Sequence, residues 1–376
     1  SNPLSAYIRY AYDSSGNPIE EKVHANTGVL RRQESFSYNK KRQLEYEFNL
    51  YSDTIRFGYS PVGSIDTLWD ALSNRTLVRR DSLSRIQATL EPDGSDSIKT
   101  SYYYDTKDNI TRVTDPSGYE YQFKYDDKSR LIYDSAAVTG ITRYGYDKAD
   151  NLIWQKNAAN DSIAYKYDGL DRLTAMLFPD SQNIRFKYDG TEFAYGRGRL
   201  YMDSTASCWT KYQFDARGYL YKEIRKFASD TNSFVTEYQY DINGNLDTLI
   251  YPTGRKVAYT YDAADNIIRV RLYSSGEWTT IADSIRYAPF GQAESWILGN
   301  GVRIALGIDS SYRLDSISTL PDSIVRLKYS YDAVDNISQV VNYFDTLADR
   351  YFTYDDTYRL TEARSLDYPD TLIKYI

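Results

Sequence analysis

The hydrophobic pattern has a beat of two set inside a beat of about 21. Short runs alternate an aromatic or aliphatic residue with a polar one, as in "YKYD" at 165–168, and then break at a polar link. Tyr104-Asp105, Tyr125-Asp126, Tyr146-Asp147, Tyr167-Asp168 and Tyr188-Asp189 stand 21 residues apart each time. Further anchors fall at Tyr12, Tyr38, Tyr59 and Arg80 upstream and at Phe214, Tyr240, Tyr261, Tyr287, Ile308, Tyr331 and Tyr354 downstream, with steps of 21 to 26 residues. A fixed period of this length marks a repeat architecture, whose units bury their apolar faces against one another. The residue two before the anchor is aromatic in 13 of the 16 copies. Residues two apart share a face of a strand and lie on nearly opposite sides of a helix, so the pattern predicts strands.

Between anchors the chain reads turn, strand, turn, strand. The fourth residue past the anchor is Gly or Asp in 11 copies, for example Asp108, Asp150, Gly244 and Asp335. These residues tolerate the positive φ of tight hairpin turns. An apolar residue follows, such as Leu131, Leu152, Leu246 or Ile337, and a second turn comes some six residues later, as "PDGS" at 92–95, "PSG" at 116–118, "PTG" at 252–254 and "SSG" at 274–276. "DSI" or a relative is then expected to open the return strand, at Asp96, Asp161, Asp283 and Asp322. Each copy reads as a β-hairpin. Leu246 and Leu249, Ile267 and Val270, and Ile337 and Val340 are spaced by three, out of phase with a flat strand. A bulge or the use of both faces accounts for that, and the sequence does not choose between them.

The expected fold class is all-β: an array of antiparallel β-hairpins forming a long curved or spiralling sheet. Residues 1–376 read as one continuous array of about 16 hairpins, a fragment of a larger protein that stops on Tyr375, 21 past Tyr354. Composition narrows the chemistry. With 40 Tyr against 2 Met, 1 Cys and 1 His, a core of any size is built from rings and aliphatic strand residues, and buried hydroxyls need partners. A net charge of −7 lacks the basic footprint of a nucleic-acid binder. No run of 18 apolar residues marks a membrane span. Cys208 alone forms no internal disulfide.

The phrases "YQYDINGNL" (238–246), "YTYDAADNI" (259–267), "YSYDAVDNI" (329–337), "YGYDKADNL" (144–152) and "YKYDGLDRL" (165–173) resemble the YD repeat, also called the RHS repeat. "GRGRL" (196–200) and "LGNGV" (298–302) are similar to phrases of the same family. The resemblance covers residues 7–376. It implies a β-ribbon of successive hairpins that spirals into a hollow shell, as in bacterial RHS toxins, the B/C components of insecticidal toxin complexes and teneurins. It also implies an extracellular or cell-surface location and partners among the remaining repeats or domains of a larger parent. The self-cleaving Asp-Pro segment of toxin-bearing members has no counterpart: Asp115-Pro116 lies in an ordinary turn. Sixteen hairpins look too few to close such a shell, so an open sheet or piece of wall is expected, its edges exposed unless neighbours cover them.

The anchors Tyr104, Asp105, Tyr125, Asp126, Tyr146, Asp147, Tyr167, Asp168, Tyr188, Asp189, Tyr240, Asp241, Tyr261, Asp262, Tyr331, Asp332, Tyr354 and Asp355 read as structural. Each carboxylate is expected to cap its turn and each ring to join a cross-strand ladder. Metal ligation by these aspartates is the weaker reading. "DINGNLD" (241–247) lacks the order of an EF-hand loop. A glycan platform would use residues outside the consensus: Trp154, Trp209, Trp278 and Trp296, with Trp69, or the insertion "GTEFAYGRG" (190–198). Glycans or a surface receptor are thus the alternative partners to a purely structural role. No cofactor is indicated. His24 and Cys208, the single members of their types, do not make a catalytic set with any neighbour in sequence.

Overall fold

The computed structural model describes residues 6–365 and 373–374, apart from 26, 52, 94–95, 193, 290 and 321–323. It is all-β, a 33-stranded antiparallel sheet with one short 3-10 turn at Thr346–Ala348. Strand after strand pairs with its neighbour in sequence, as Glu120–Tyr125 with Leu131–Ala136, Leu131–Ala136 with Gly140–Tyr146, and Gly140–Tyr146 with Leu152–Lys156. The chain divides into two compact units, Ser1–Ser101 with Ala282–Ile376, and Tyr102–Ile281.

The spacing by three is a bulge. Tyr240 faces Leu246, Gln239 faces Thr248 and Tyr238 faces Leu249, so Asp247 is an extra residue and Leu246 and Leu249 return to one side. The same shift at the anchor recurs at Tyr261, Tyr331 and Tyr354, and also at Tyr38, Tyr59, Arg80, Tyr125, Tyr146, Tyr167 and Tyr188. A bulge leaves one residue out of the ladder and raises the local twist, here at each of these anchors.

Two details depart from the sequence reading. The first is "DSI": at Asp283-Ser284-Ile285 it does not open a strand. That strand starts at Glu277, and the register slips between Asp283 and Arg286, with Ser284 at φ 53°. Where "DSI" was expected at 322–324, Asp322 and Ser323 lie outside the described residues, as do Tyr375 and the tip of "PDGS". The second is the core. Among the described residues no large side chain is fully buried, and the enclosed apolar residues are small: Val23, Ala88, Ala175, Ala288, Val302 and Ala363. Most anchor rings are half-buried on the sheet surface, so their partners must come from the strand and turn of the adjoining copy.

Candidate functional site

The repeated chemistry sits at the anchor turn. In the copy at Tyr146, the Asp147 N–H donates to the Asn151 carbonyl at 3.0 Å. Asp147 Oδ1 accepts from the N–H groups of Ala149 and Asn151, both at 2.9 Å, and Oδ2 accepts from Asn151 Nδ2 at 3.1 Å. Asp105, Asp126, Asp168, Asp241, Asp262, Asp332 and Asp355 cap their turns in the same way. The fourth residue past the anchor closes the turn with positive φ whatever its type: Asp150, Asp171 and Gly244, but also Arg42, Ser84, Ser129, Tyr312 and Tyr358. Asp189 differs: it takes positive φ itself and accepts from the Gly198 N–H across the insertion. Side-chain hydrogen bonds from Asn151 and Arg172 hold the Asp147 and Asp168 carboxyls below the usual carboxylate range. At Asp355, burial pushes up, but the N–H groups of the turn and the Thr357 hydroxyl prevail, bringing it down to about 2.

The fifth residue past the anchor, to which the sequence assigns no role, ties its turn to the next in several copies. At Asn151 and Asn245, Nδ2 reaches forward, to Asp171 Oδ1 at 2.8 Å and to Asp265 Oδ1 at 2.6 Å, while Asn17, Asn266 and Asn336 hold their own turn's aspartate. Where it is Arg, Nε holds its own Asp while the outer nitrogens go forward. Arg130 binds Asp126, then the Asp147 carbonyl and Asp150 Oδ1. Its guanidinium also lies 4.8 Å from the Tyr146 ring centroid, and Arg172 and Arg313 cover Tyr188 and Tyr331 at 4.4 and 4.5 Å. These rings therefore carry a guanidinium, where the sequence suggested ring on ring. The alternation of Asn and Arg at this one position was the available signal.

The tyrosine hydroxyl makes the second link. Tyr146 donates to the Leu131 carbonyl, Tyr167 to Leu152, Tyr188 to Leu173 and Tyr261 to Leu246, at 2.8 to 3.0 Å. Tyr38, Tyr59, Tyr240, Tyr331 and Tyr354 do the same. For Tyr146, Tyr167, Tyr188 and Tyr261 the acceptor is the carbonyl just before the bulged residue, where the ladder is interrupted. Arg80, an anchor without a phenol, sends Nη2 to the Ile65 carbonyl at 3.4 Å, the equivalent acceptor. Tyr125 is half-buried on its strand, and burial raises its pKa, as it does for Tyr146, Tyr167 and Tyr261.

Trp154, Trp209 and Trp278 belong to one unit and Trp296 to the other, and among the described residues no ring contact joins two of them. Trp154 lies over Gly145, where a Cβ would sit 2.0 Å from the indole nitrogen, which gives it a packing role. Trp209 has Lys211 at 5.6 Å. Trp278, 42 % exposed, stacks obliquely on Tyr273 at 5.3 Å with Arg271 at 5.0 Å. His24 stacks on Tyr7 at 4.9 Å. Among the described residues no group of His, Cys, Asp and Glu is arranged to hold a metal, and no helix is long and apolar enough to cross a membrane.

Within the unit formed by Ser1–Ser101 and Ala282–Ile376, late anchor turns rest on early hairpins. Tyr358 donates its hydroxyl to Asp70, and Asn74 Nδ2 donates to the Asp356 carbonyl at 3.5 Å. Arg313 lies over Tyr51, Arg32 over Tyr312, and Arg31 pairs with Glu294. A cleft of about 380 Å³ along this junction is lined by Arg32, Glu34, Glu47, Asp53, Asp70 and Val334, among others. Burial and the adjacent Glu34 raise the Glu47 pKa. Late turns thus cover several of the early ones within this unit.

Residues 104–140 match the RHS repeat family model. No curated protein matches the chain. A crystal structure of TcdB2-TccC3-TEV matches with TM-score 0.81 at 17 % identity, over 94 % of this chain and 21 % of that one. A mutant of the Photorhabdus luminescens Tc holotoxin pore matches with TM-score 0.82 at 16 % identity, over 94 % and 21 %. A crystal structure of TcdB2-TccC3 matches with TM-score 0.74 at 16 % identity, over 95 % and 24 %. The chain spans about a fifth to a quarter of the length of the solved structures it matches. Residues 104–140 thus match the RHS repeat, and the described residues share the fold of these solved structures.

Proposed function

We propose that the chain is a non-enzymatic structural module: one continuous array of about 16 hairpins, forming a length of wall in a shell or surface scaffold of a large secreted or surface-exposed bacterial protein. The observation that supports it most is the use made of the repeated residues. The anchor aspartates close their own turns, the Asn or Arg at the fifth position holds the next turn, and the tyrosine hydroxyl holds the previous copy. The repeated chemistry is spent on joining copies to one another. The fold shared with TcdB2-TccC3 and with the Tc holotoxin structure supports a place in a toxin-associated shell. On that reading the parent protein's further repeats and domains are the partners, and a toxin domain elsewhere in the parent is the cargo.

Limited proteolysis tests the array. One cooperative resistant body is expected. Separate fragments that resist independently, released by cleavage near 101 and 281, would count against it.

A further inference from the structure

The 380 Å³ cleft has a floor and a wall of different kinds, both within the unit formed by Ser1–Ser101 and Ala282–Ile376. Three strands make the floor: Leu30–Tyr38, Leu44–Asn49 and Thr54–Tyr59. Glu34 stands opposite Asn49, and Glu47 opposite Ile55, so alternate residues of each strand face the cleft. The wall is made by three late turns, through Ser310 and Ser311, Ala333 and Val334, and Tyr358. A volume of this size is within the range of small-molecule sites.

Much of the polar chemistry in the cleft has no use within the chain. Glu47 is half-buried, and among the described residues it accepts no hydrogen bond and pairs with no cation. Burial, and then Glu34, hold its carboxyl above the ordinary value. Arg32 does not relieve it, because that guanidinium is engaged by Glu21 and lies 3.6 Å from Glu34. On the wall, Ser310 Oγ is buried and has no hydrogen-bond partner. Buried polar atoms are normally satisfied, so such an atom in a cavity marks the place of a missing partner.

The missing partner is not a metal ion. Calcium and magnesium gather about six or more oxygens around one point, and among the described residues no three acidic groups converge in that way. The carboxylates step across the sheet instead, with Glu34 and Glu47 on adjoining strands and Asp53 and Asp70 beyond them. Between them lie the apolar side chains of Ile55, Ala71 and Val334. Positive charges spaced along a flexible hydrocarbon chain match that arrangement.

We propose that this cleft binds a linear aliphatic polyamine, with ammonium groups on Glu47 and Glu34, an N–H donated to Ser310 Oγ, and methylenes against Ile55 and Val334. Ammonium-to-carboxylate hydrogen bonds are among the strong ones, and more so away from bulk water. The ligand touches the early strands and the late turns at once, so it stabilises the unit by binding only its folded form. The site needs this unit alone and goes beyond the scaffold reading.

Calorimetric titration of the full chain with spermidine, at fixed ionic strength, is the test. Saturable binding at one site is expected, with a matching rise in melting temperature. Propylamine, with a single charge, should bind at least about tenfold more weakly. Glu47→Gln should weaken spermidine binding by about tenfold or more. Ala333→Met narrows the cleft without changing its charge and should weaken binding likewise. Glu277→Gln, an exposed acid of the other unit, should bind as the parent does. Each variant's amine-free melt is its own reference and shows that it folds. Absence of saturable binding overturns the inference. So does binding that survives both Glu47→Gln and Ala333→Met, or that magnesium at equal charge displaces, since either result means diffuse attraction to an acidic protein.

Discussion

Removing the oxygen of one anchor tyrosine isolates the joint between copies. In Tyr188→Phe the ring stays, with Arg172 still 4.4 Å from its centroid, and only the O–H to the Leu173 carbonyl, 3.0 Å long, is lost. A net hydrogen bond of this kind contributes about 1 kcal/mol. The carbonyl left behind sits beside a half-buried ring that water can reach, so the cost stays near that value and does not rise to the full desolvation penalty. Tyr146→Phe and Tyr261→Phe remove equivalent bonds at 2.9 and 2.8 Å. The three sites lie in non-adjacent copies, so their effects should add to about 3 kcal/mol in the triple variant. Urea unfolding followed by circular dichroism reads the loss as a lower midpoint, with hydrogen exchange at Leu131, Leu173 and Leu246 as a local check. Tyr195→Phe is the control, because Tyr195 is 57 % exposed on the insertion. If the triple variant unfolds at the same urea concentration as Tyr195→Phe, the hydroxyls do not hold the copies together and the account of the joint is wrong.

Acid should unfold the protein steeply. Asp13, Asp81, Asp105, Asp126, Asp147, Asp168 and Asp189 have carboxyl pKa values below their unfolded values, and Asp355 comes down to about 2. Their contribution is complete above about pH 4, the unfolded aspartate range, and is lost as pH falls through the lower folded values; a flat stability profile from pH 5 to 2 would contradict this. Asp168→Ala should lower the urea midpoint more than Tyr167→Phe, since it removes the acceptor for two backbone N–H groups and for Arg172 Nε. Turn backbones give a pair of opposite sign: Ser84→Gly, at φ 64°, should stabilise by about 0.5–1 kcal/mol. Gly244→Ala, at φ 94° with a Cβ that would sit 2.2 Å from the Tyr219 hydroxyl, should destabilise by at least as much in thermal melts. Glycan-array binding lost on Trp278→Ala or Trp296→Ala would favour recognition over scaffolding; equal binding by the variants would not.

The hairpins were legible because their signals are local and repeated: the two-residue beat marks strands, and Gly or Asp marks the fourth turn position. Arg42, Tyr312 and Tyr358 take that same backbone conformation with no residue-type signal, because the turn hydrogen bonds, such as Arg42 N–H to the Asn39 carbonyl, outweigh side-chain preference. The bulge showed only as a phase slip between Leu246 and Leu249, since a bulged residue such as Asp247 has no type of its own. "DSI" misled at Asp283 because one strand runs straight through it from Glu277 to Tyr287. The Tyr358–Asp70 contact was illegible for another reason. It joins residues 288 apart and occurs once, so no periodicity announces it.

Arg80 carries a wider consequence. A guanidinium can stand in for a phenol at the joint because what the preceding copy's carbonyl requires is a proton within reach. Drift from Tyr to Arg at such a spot leaves the architecture intact while erasing the letter by which a copy is known. A chain built this way can therefore hold more hairpins than a tally of its tyrosines suggests, and the carbonyls that accept such a proton mark copies that counting letters misses.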